Sequence, residues 1–467
     1  MSSELRFIKR SLFLGFFVSL IFPANADTSQ PINFPQAVSM ALSANPRMSE
    51  SKASVESAQA EITQAHASML PQLGLESNAA RSDNPLNVFG YKLSQGQVTF
   101  ADFGAAQFNS PSSLNTAPKA LNDPGYYGNV DNGLVITMPL FSGGSDLAKS
   151  KRAQLLLKAA EAGNQEARLE LTFDVLQAYE GVHTTNALVA IAKQSLQAMN
   201  DYTHLTQGLS KQSLVLQSDV LLAQTAYRSA QMTLKNVVAQ NNNQLDSFRI
   251  LLGQPQSQLV PGTPVHLQLP KQSMQTIQDS AYLSNAQLSA LKSQMDAEQT
   301  NITSADAGYW PTLDLQLRHD WNAPNFNLSN PSNTALLEMN WTLFDFGMRS
   351  GATQEAKAKY QEAIAKWANA KNDINLSIVQ TLRAIQTTSA QIQSSDLNAQ
   401  QSLAMVKVLK EKYGQAVVPL SALLDAQARL DTAQAQQVMT RYDLLLAQAK
   451  LLMLINQLAP SNKSAES

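Results

Sequence analysis

The chain is written twice. Residues 41–75 return 240 positions later, so that Asn45 meets Asn285, Lys52 meets Lys292, Gln59 meets Gln299 and Ile62 meets Ile302. Pro71 likewise meets Pro311, and Leu73 and Leu75 meet Leu313 and Leu315. A second correspondence, at 203 positions, pairs Leu140-Phe141 with Leu343-Phe344, Gly144 with Gly347, Ala223-Gln224 with Ala426-Gln427 and Gln254 with Gln457. Two copies of one motif, neither able to close a structure alone, point to a stacked symmetric assembly more than to a single catalytic pocket. The fall from 240 to 203 gives the first half 37 further residues, and they must lie between 76 and 137.

Each half has the same order: helix, strand, loop, strand, very long helix, turn, long helix. Helical patterns end at Pro71 and Pro311, because proline stops a helix and pushes the residue before it into extended conformation. Four segments then alternate with period two. The apolar positions are Leu73 and Leu75 in 72–77, then Leu134, Ile136, Met138 and Leu140 in 134–140. In 312–321 they are Leu313, Leu315, Leu317 and Trp321, and in 337–343 Leu337, Met339, Trp341 and Leu343. Such alternation gives one apolar and one polar face. A sandwich strand has the same pattern, but four strands are too few for a sandwich and the rest of the chain offers only helices. A barrel wall with lipid outside and water inside fits, and Phe141, Trp310, Trp321, Trp341 and Phe344 suit an interfacial girdle. Four strands cannot enclose a lumen, so several copies must pool them.

Glycine pairs or single glycines (Gly143-Gly144, Gly347) lead into proline-free helical patterns over 145–209 and 348–412. Leu171, Val175, Ala178, Val182, Val189, Ala192, Leu196 and Met199 fall at coiled-coil spacing. About 64 residues at 1.5 Å each make a rod of roughly 95 Å. The rods turn at 210–217 and 413–420 and return over 219–252 and 421–455. The resulting organisation is a first repeat over 27–253, a proline-rich linker over 254–275, a second repeat over 276–457 and a tail over 458–467. The extra residues of the first half, 78–132, are rich in Asn, Gly, Pro and Ser and read as a long extracellular loop.

The first residues carry Arg6, Lys9 and Arg10, an apolar run over 12–22 and Ala24-Asn25-Ala26. Residues 1–26 therefore read as an export signal, the run being too short to span a bilayer as a helix. The chain has no cysteine, which excludes disulfides and thiolate chemistry, and a net charge of −2, which argues against a nucleic-acid partner. After residue 26 no apolar run reaches 18 residues, so any crossing of a membrane must be made by strands.

The ordered set of motifs resembles the TolC family of outer-membrane efflux and secretion channels. Its carriers are Ala41-Leu42 with Asn45-Pro46, Leu70-Pro71-Gln72-Leu73, and Pro139-Leu140-Phe141 with Gly143-Gly144. In the second half they are Thr342-Leu343-Phe344-Asp345 with Gly347, and Leu423-Leu424-Asp425-Ala426-Gln427. The resemblance implies a mainly α protein with membrane β: a homotrimer whose four strands per chain build a 12-stranded β-barrel continuous with a periplasmic α-barrel. It implies a passive exit duct in the outer membrane of a Gram-negative bacterium. Its partners would be outer-membrane lipid, a periplasmic adaptor and an inner-membrane transporter of an efflux or type I secretion system.

The family closes its periplasmic end with inward-bent hairpins. By the resemblance, Asp219 takes the acidic position of the first hairpin, and Tyr413 and Asp425 the tyrosine and aspartate of the second. Val418 stands where members often carry arginine, and Ala422 where they often carry a further aspartate. Three-fold symmetry would gather the acidic groups near one axis, where they favour cations. The adaptor would dock at the two turns, on Ser213, Leu214 and Val215 and on Ala416, Val417 and Val418. Ser213 and Ala416 occupy positions where the family usually keeps glycine.

No catalytic constellation is present: no H-E-x-x-H, G-x-S-x-G, P-loop or dinucleotide fingerprint. The histidines (66, 183, 204, 266 and 319) lack ligand spacing, so neither an enzyme nor a metal or cofactor is expected. A periplasmic coiled-coil adaptor is the alternative. It would explain export and long hairpins, but not two pairs of amphipathic strands.

Overall fold

The computed structural model describes residues 30–270 and 272–458. The export signal expected at 1–26 and all but the first residue of the tail lie outside them. Strand β1 (Gln30–Ile32) leads into helices α1 (Phe34–Ala44) and α2 (Pro46–Ala67) and then strand β2 (Gln72–Ser82). Helix α3 (Pro85–Ser94), three 3₁₀ turns and helix α4 (Lys119–Asn122) precede strand β3 (Tyr127–Phe141). Helices α5 (Ser145–Lys211) and α6 (Gln217–Leu251) complete the first repeat, and strand β4 (Leu259–Pro261) follows. The second repeat runs α7 (Met274–Ser284), α8 (Ala286–Asp306), β5 (Thr312–Ala323), β6 (Pro331–Asn340), α9 (Met348–Gly414) and α10 (Leu420–Leu454).

The duplication in sequence is a duplication in geometry. Helices α5 and α9 are both 67 residues long, about 100 Å each, and α6 and α10 both have 35. The repeated asparagines explain how the pieces join. Asn45 ends α1 and caps α2, accepting from the Arg47 amide at 3.0 Å while its own amide donates to the Leu251 carbonyl at the end of α6. Asn285 does the same between α7 and α8, accepting from Leu288 and donating to the Leu454 carbonyl at the end of α10. One side chain thus satisfies orphaned groups at two helix ends. In this way α2 is set end-on above α6, and α8 above α10.

The strands form one antiparallel sheet in the order β2-β3-β5-β6. The register opposes Leu75 to Leu134, Ile136 to Leu317 and Leu315 to Leu337, so the leucines gather on one face. That face is uncovered: Leu73 is 71% exposed, Leu75 74%, Leu337 60% and Met339 62%. Arg318, Asp320, Asp131 and Glu76 lie on the other face, where the guanidinium reaches all three carboxylates. Leucines facing outward and an ion cluster facing inward are the pattern of a lipid-bathed wall around water. Strands 72–77 and 134–140 prove longer than their alternation indicates. The expected loop of 78–132 shrinks to 83–126 and is largely folded. Residues 78–82 and 127–133 lack alternation because Asn, Arg, Gly and Asp weaken the pattern, yet each of them is paired in the ladder.

The helices form a strip one layer thick. Along its upper part α5 lies between α2 and α8, with α9 beyond α8; along its lower part α5 lies between α6 and α10, with α9 beyond α10. A strip with β2, α2 and α6 on one edge and β6 and α9 on the other is completed only by further copies, edge to edge. The main apolar core sits at mid-height, where Phe34, Tyr179 and Phe248 stack edge-to-face. Tyr179 also ties the interdomain linker down. Its hydroxyl lies 3.1 Å from the Ile32 carbonyl, 2.9 Å from that of Thr263 and 3.0 Å from the Gly262 amide. The proline-rich linker expected over 254–275 contributes β4, which pairs in parallel with β1.

Candidate periplasmic entrance

At the far end from the strands, α5 turns into α6 and α9 into α10. Both turns are Schellman motifs of identical form. The Leu214 amide reaches back to the Leu209 carbonyl and that of Ser213 to Ser210; Val417 reaches Lys412 and Ala416 reaches Tyr413. The motif requires a left-handed residue, and Ser213 and Ala416 both adopt it with φ of 57°. Side chains at this conformation cost roughly 1–2 kcal/mol each relative to glycine. The departure from the family's glycine therefore leaves the turn geometry intact and places strain at both tips.

The six turn residues do not share one environment. Leu214 and Val417 are 54% and 66% exposed, and Ser213 and Ala416 are exposed beside them. Val215 and Val418 instead are half-buried and turn inward to pack on the small core beneath, so of the six expected docking residues they offer less free surface. The Schellman turn itself accounts for this: it brings the residue after its exposed apolar tip back over the last helical turns.

The core beneath the tips joins the two hairpins through Met199, Tyr202, Leu209, Ala223, Tyr413, Leu420 and Leu423. Polar groups cross it. The Tyr202 hydroxyl donates to Gln427 Oε1 at 2.9 Å, Gln427 donates on to Asp431 at 2.9 Å, and Ser195 donates to the other oxygen of Asp431. Thr206 gives its single hydroxyl proton to the Tyr202 carbonyl at 2.7 Å, so across the 2.8 Å contact Tyr413 is the donor and Thr206 the acceptor. Tyr202 and Tyr413 are both almost wholly buried. Burial pushes the Tyr202 phenol up to about 12, with the charges of Asp431 and Asp201 adding to it. Burial, and then the charge of Asp219, raises that of Tyr413.

Of the expected entrance residues, Tyr413 and Asp219 therefore come together. Asp219 caps the first turn of α6 and has no ion-pair partner among the described residues. Asp425 stands apart. It is exposed on α10 and paired with Arg429 one turn on, at 3.0 Å. Tyr202, Thr206, Gln427, Asp431 and Ser195 were not anticipated, although Gln427 belongs to a repeated Ala-Gln pair. Among the described residues no group of His, Asp and Glu side chains is arranged to hold a metal, and no helix is long and apolar enough to cross a membrane.

Comparison with known proteins agrees with this architecture. The sequence pattern of the family described as outer membrane efflux protein matches residues 37–254 and 277–457. No curated protein matches by sequence. Among solved structures, the CmeC outer membrane channel of Campylobacter jejuni is 15% identical, with 91% of this chain and 86% of that one covered and a TM-score of 0.75. The outer membrane protein VceC of Vibrio cholerae is 20% identical, with 89% and 96% covered and a TM-score of 0.68. The MtrE outer membrane channel of Neisseria gonorrhoeae, in its open state, is 15% identical, with 92% and 91% covered and a TM-score of 0.73. At these identities the likeness establishes the fold, and the family match establishes the rest: this is a channel family and not an enzyme family. With the lipid-facing sheet, the incomplete strip and both repeats covered, the chain belongs to the outer membrane efflux protein family, whose TolC-like homotrimers serve as outer-membrane exit ducts for periplasmic adaptors and inner-membrane pumps.

Proposed function

We propose that the duct rests closed at its helical tips, with the buried tyrosines as the lock, and that the exposed sides of the two turns receive the adaptor. The observation that carries this reading is the hydrogen-bonded chain through a dry core. To widen the entrance, the α9–α10 hairpin must move away from α5. That separates Tyr202 from Gln427 and Tyr413 from Thr206 together, and each broken bond leaves a buried polar group unpaired. Such a group costs about 1–3 kcal/mol, enough to hold a closed state and little enough for a docking partner to reverse.

Asp219 acts beside the lock. In a trimer its three copies lie near one axis and draw cations toward the constriction. Asp425 contributes less, because Arg429 neutralises it within the same helix. Leu214 and Val417, apolar and exposed at equivalent turns, are the contacts offered to the adaptor.

Ion selectivity in planar bilayers tests the entrance. Asp219→Ala combined with Asp425→Ala should shift the reversal potential in a salt gradient toward zero, with Asp219→Ala alone giving most of the change. A reversal potential equal to that of the parent trimer would remove both residues from the conducting path.

A further inference from the structure

The 44 residues that join β2 to β3 at the extracellular end fold into a body of their own. Asn84 caps α3 through the amides of Leu86 and Asn87. Lys92 reaches Asp102 at 2.7 Å, and the second oxygen of Asp102 holds both the amide and the hydroxyl of Thr99. Phe89 and Phe103 stack edge-to-face, and Val88 is 1% exposed. The loop between β5 and β6 spans only 324–330, so a hairpin at this end requires none of this construction.

The side of the wall on which the body lies is fixed by Gln95. Its amide donates to the Gly128 carbonyl and to Asn129 Oδ1 at 2.8 Å, and Asn129 donates to Asn322 at 2.7 Å. Residues 127, 129, 131 and 133 share one face of β3. It is the face of Asp131 and Gly133, against which Arg318 and Asp320 lie. That face is the wet one, since the leucines occupy the other. Helix α3 is thus anchored across the lumen side of β3 and β5.

Size then decides what three such bodies do. Twelve strands about 4.8 Å apart and tilted by about 40° close on a backbone-to-backbone diameter of about 24 Å. A helix with its side chains is about 10–12 Å across. Three such cylinders resting on the inner wall meet at the axis. Large apolar side chains of each body stand exposed: Leu86 is 79% exposed, Phe100 87%, Leu114 75% and Phe108 57%. These side chains have no cover within the chain. The body that carries them follows directly on β2, the edge strand that meets the next copy.

We infer that residues 85–126 of the three copies close the extracellular mouth, packing on one another at the axis through Phe100, Phe108 and Leu114. The mouth is then a second closure, built from the insertion present in only one repeat and independent of the tyrosine lock about 100 Å away along α5. Cargo leaving the duct must part an apolar contact between identical loops, which reseals without an external partner.

The absence of cysteine makes the test clean. Phe100→Cys and, separately, Phe108→Cys are purified as detergent-solubilised trimers, verified by light scattering and treated with a short bismaleimide. Cross-linked dimers on a denaturing gel at either position are the expected result, and the more efficient position identifies the side chain nearer the axis. Trimers that yield only monomers at both positions would overturn the closure. So would quenching of an environment-sensitive dye on either cysteine by nitroxide-labelled lipid after reconstitution, which would place the aromatics in the outer leaflet instead.

Discussion

The two repeats agree wherever they build the wall and differ wherever they do something to it. The lengths of the long helices, the bridging asparagines Asn45 and Asn285, and the left-handed tips Ser213 and Ala416 all correspond. The lock does not. Tyr202, 2% exposed, corresponds to Met405, 53% exposed; Tyr413 corresponds to Ser210, Asp219 to Ala422, Asp425 to Leu222 and Asp431 to Arg228. At mid-height Tyr179 and Glu180, which hold the linker, correspond to Leu382 and Arg383. The position of each helix in the strip explains this. Helix α5 is central, with neighbours on both sides over its whole length, whereas α9 is at an edge and offers one side to the next copy. A duplicated helix keeps its length because the duct has one height, but its side chains answer to different neighbours.

The sharpest break between the repeats is the strand-to-helix turn, where Gly143 and Phe346 both adopt positive φ, 67° and 53°. A Cβ on Gly143 would lie 2.5 Å from the Ala307 carbonyl oxygen. Gly143→Ala should therefore destabilise the trimer by about 2–4 kcal/mol in urea denaturation. Phe346 is 94% exposed and touches Phe344, so Phe346→Gly relieves strain while losing one ring contact. It should stabilise by less than about 1 kcal/mol. Equal effects at the two sites would mean that the turns are equivalent after all.

Tyr202→Phe leaves the buried Gln427 oxygen without its donor and should cost about 1–3 kcal/mol. Single-channel recordings should show longer or larger openings, whereas Met405→Leu at the equivalent position should leave both stability and conductance unchanged.

At mid-height, burial pushes the Glu180 carboxyl up to about 7 from an ordinary value near 4.5, against the opposing bond from the Val265 amide at 2.6 Å. The folded chain holds this proton more tightly than the unfolded one. The stabilisation is therefore full below about pH 4.5 and is lost as pH rises through about 7. Melting temperature should fall across that window, and Glu180→Gln should flatten the fall. Arg383→Gln should leave it as it is.

The smallest effect is expected where the repeats agree best. Ser213→Gly and Ala416→Gly should each stabilise by about 1 kcal/mol, additively, because each acts on its own turn. A gain at only one turn would show that the two tips carry different loads.

Much of this molecule was legible from spacing. The 240- and 203-residue shifts carried the repeated helix lengths, Pro71 and Pro311 the entry into the strands, and the leucine alternation the lipid face. The insertion was legible as length and composition but not as structure, because Lys92–Asp102 and Gln95–Asn129 are contacts between residues of unremarkable local pattern. The entrance was legible in part. Tyr413 and Asp219 were expected there from the resemblance, but Tyr202 and Thr206 lie on a helical stripe that reads like any other.

What the sequence determined by itself was the local and periodic order: where helices start and stop, which strand face is apolar, and that one copy is incomplete. Those properties follow from neighbours along the chain, which period and propensity report. Only the tertiary structure decided which polar side chains meet across the wall, that Val215 and Val418 turn inward, and that the long loop lies on the lumen side. Each of these depends on what stands opposite, between residues as far apart as the 236 positions that separate Ser195 and Asp431, and no periodicity carries that information.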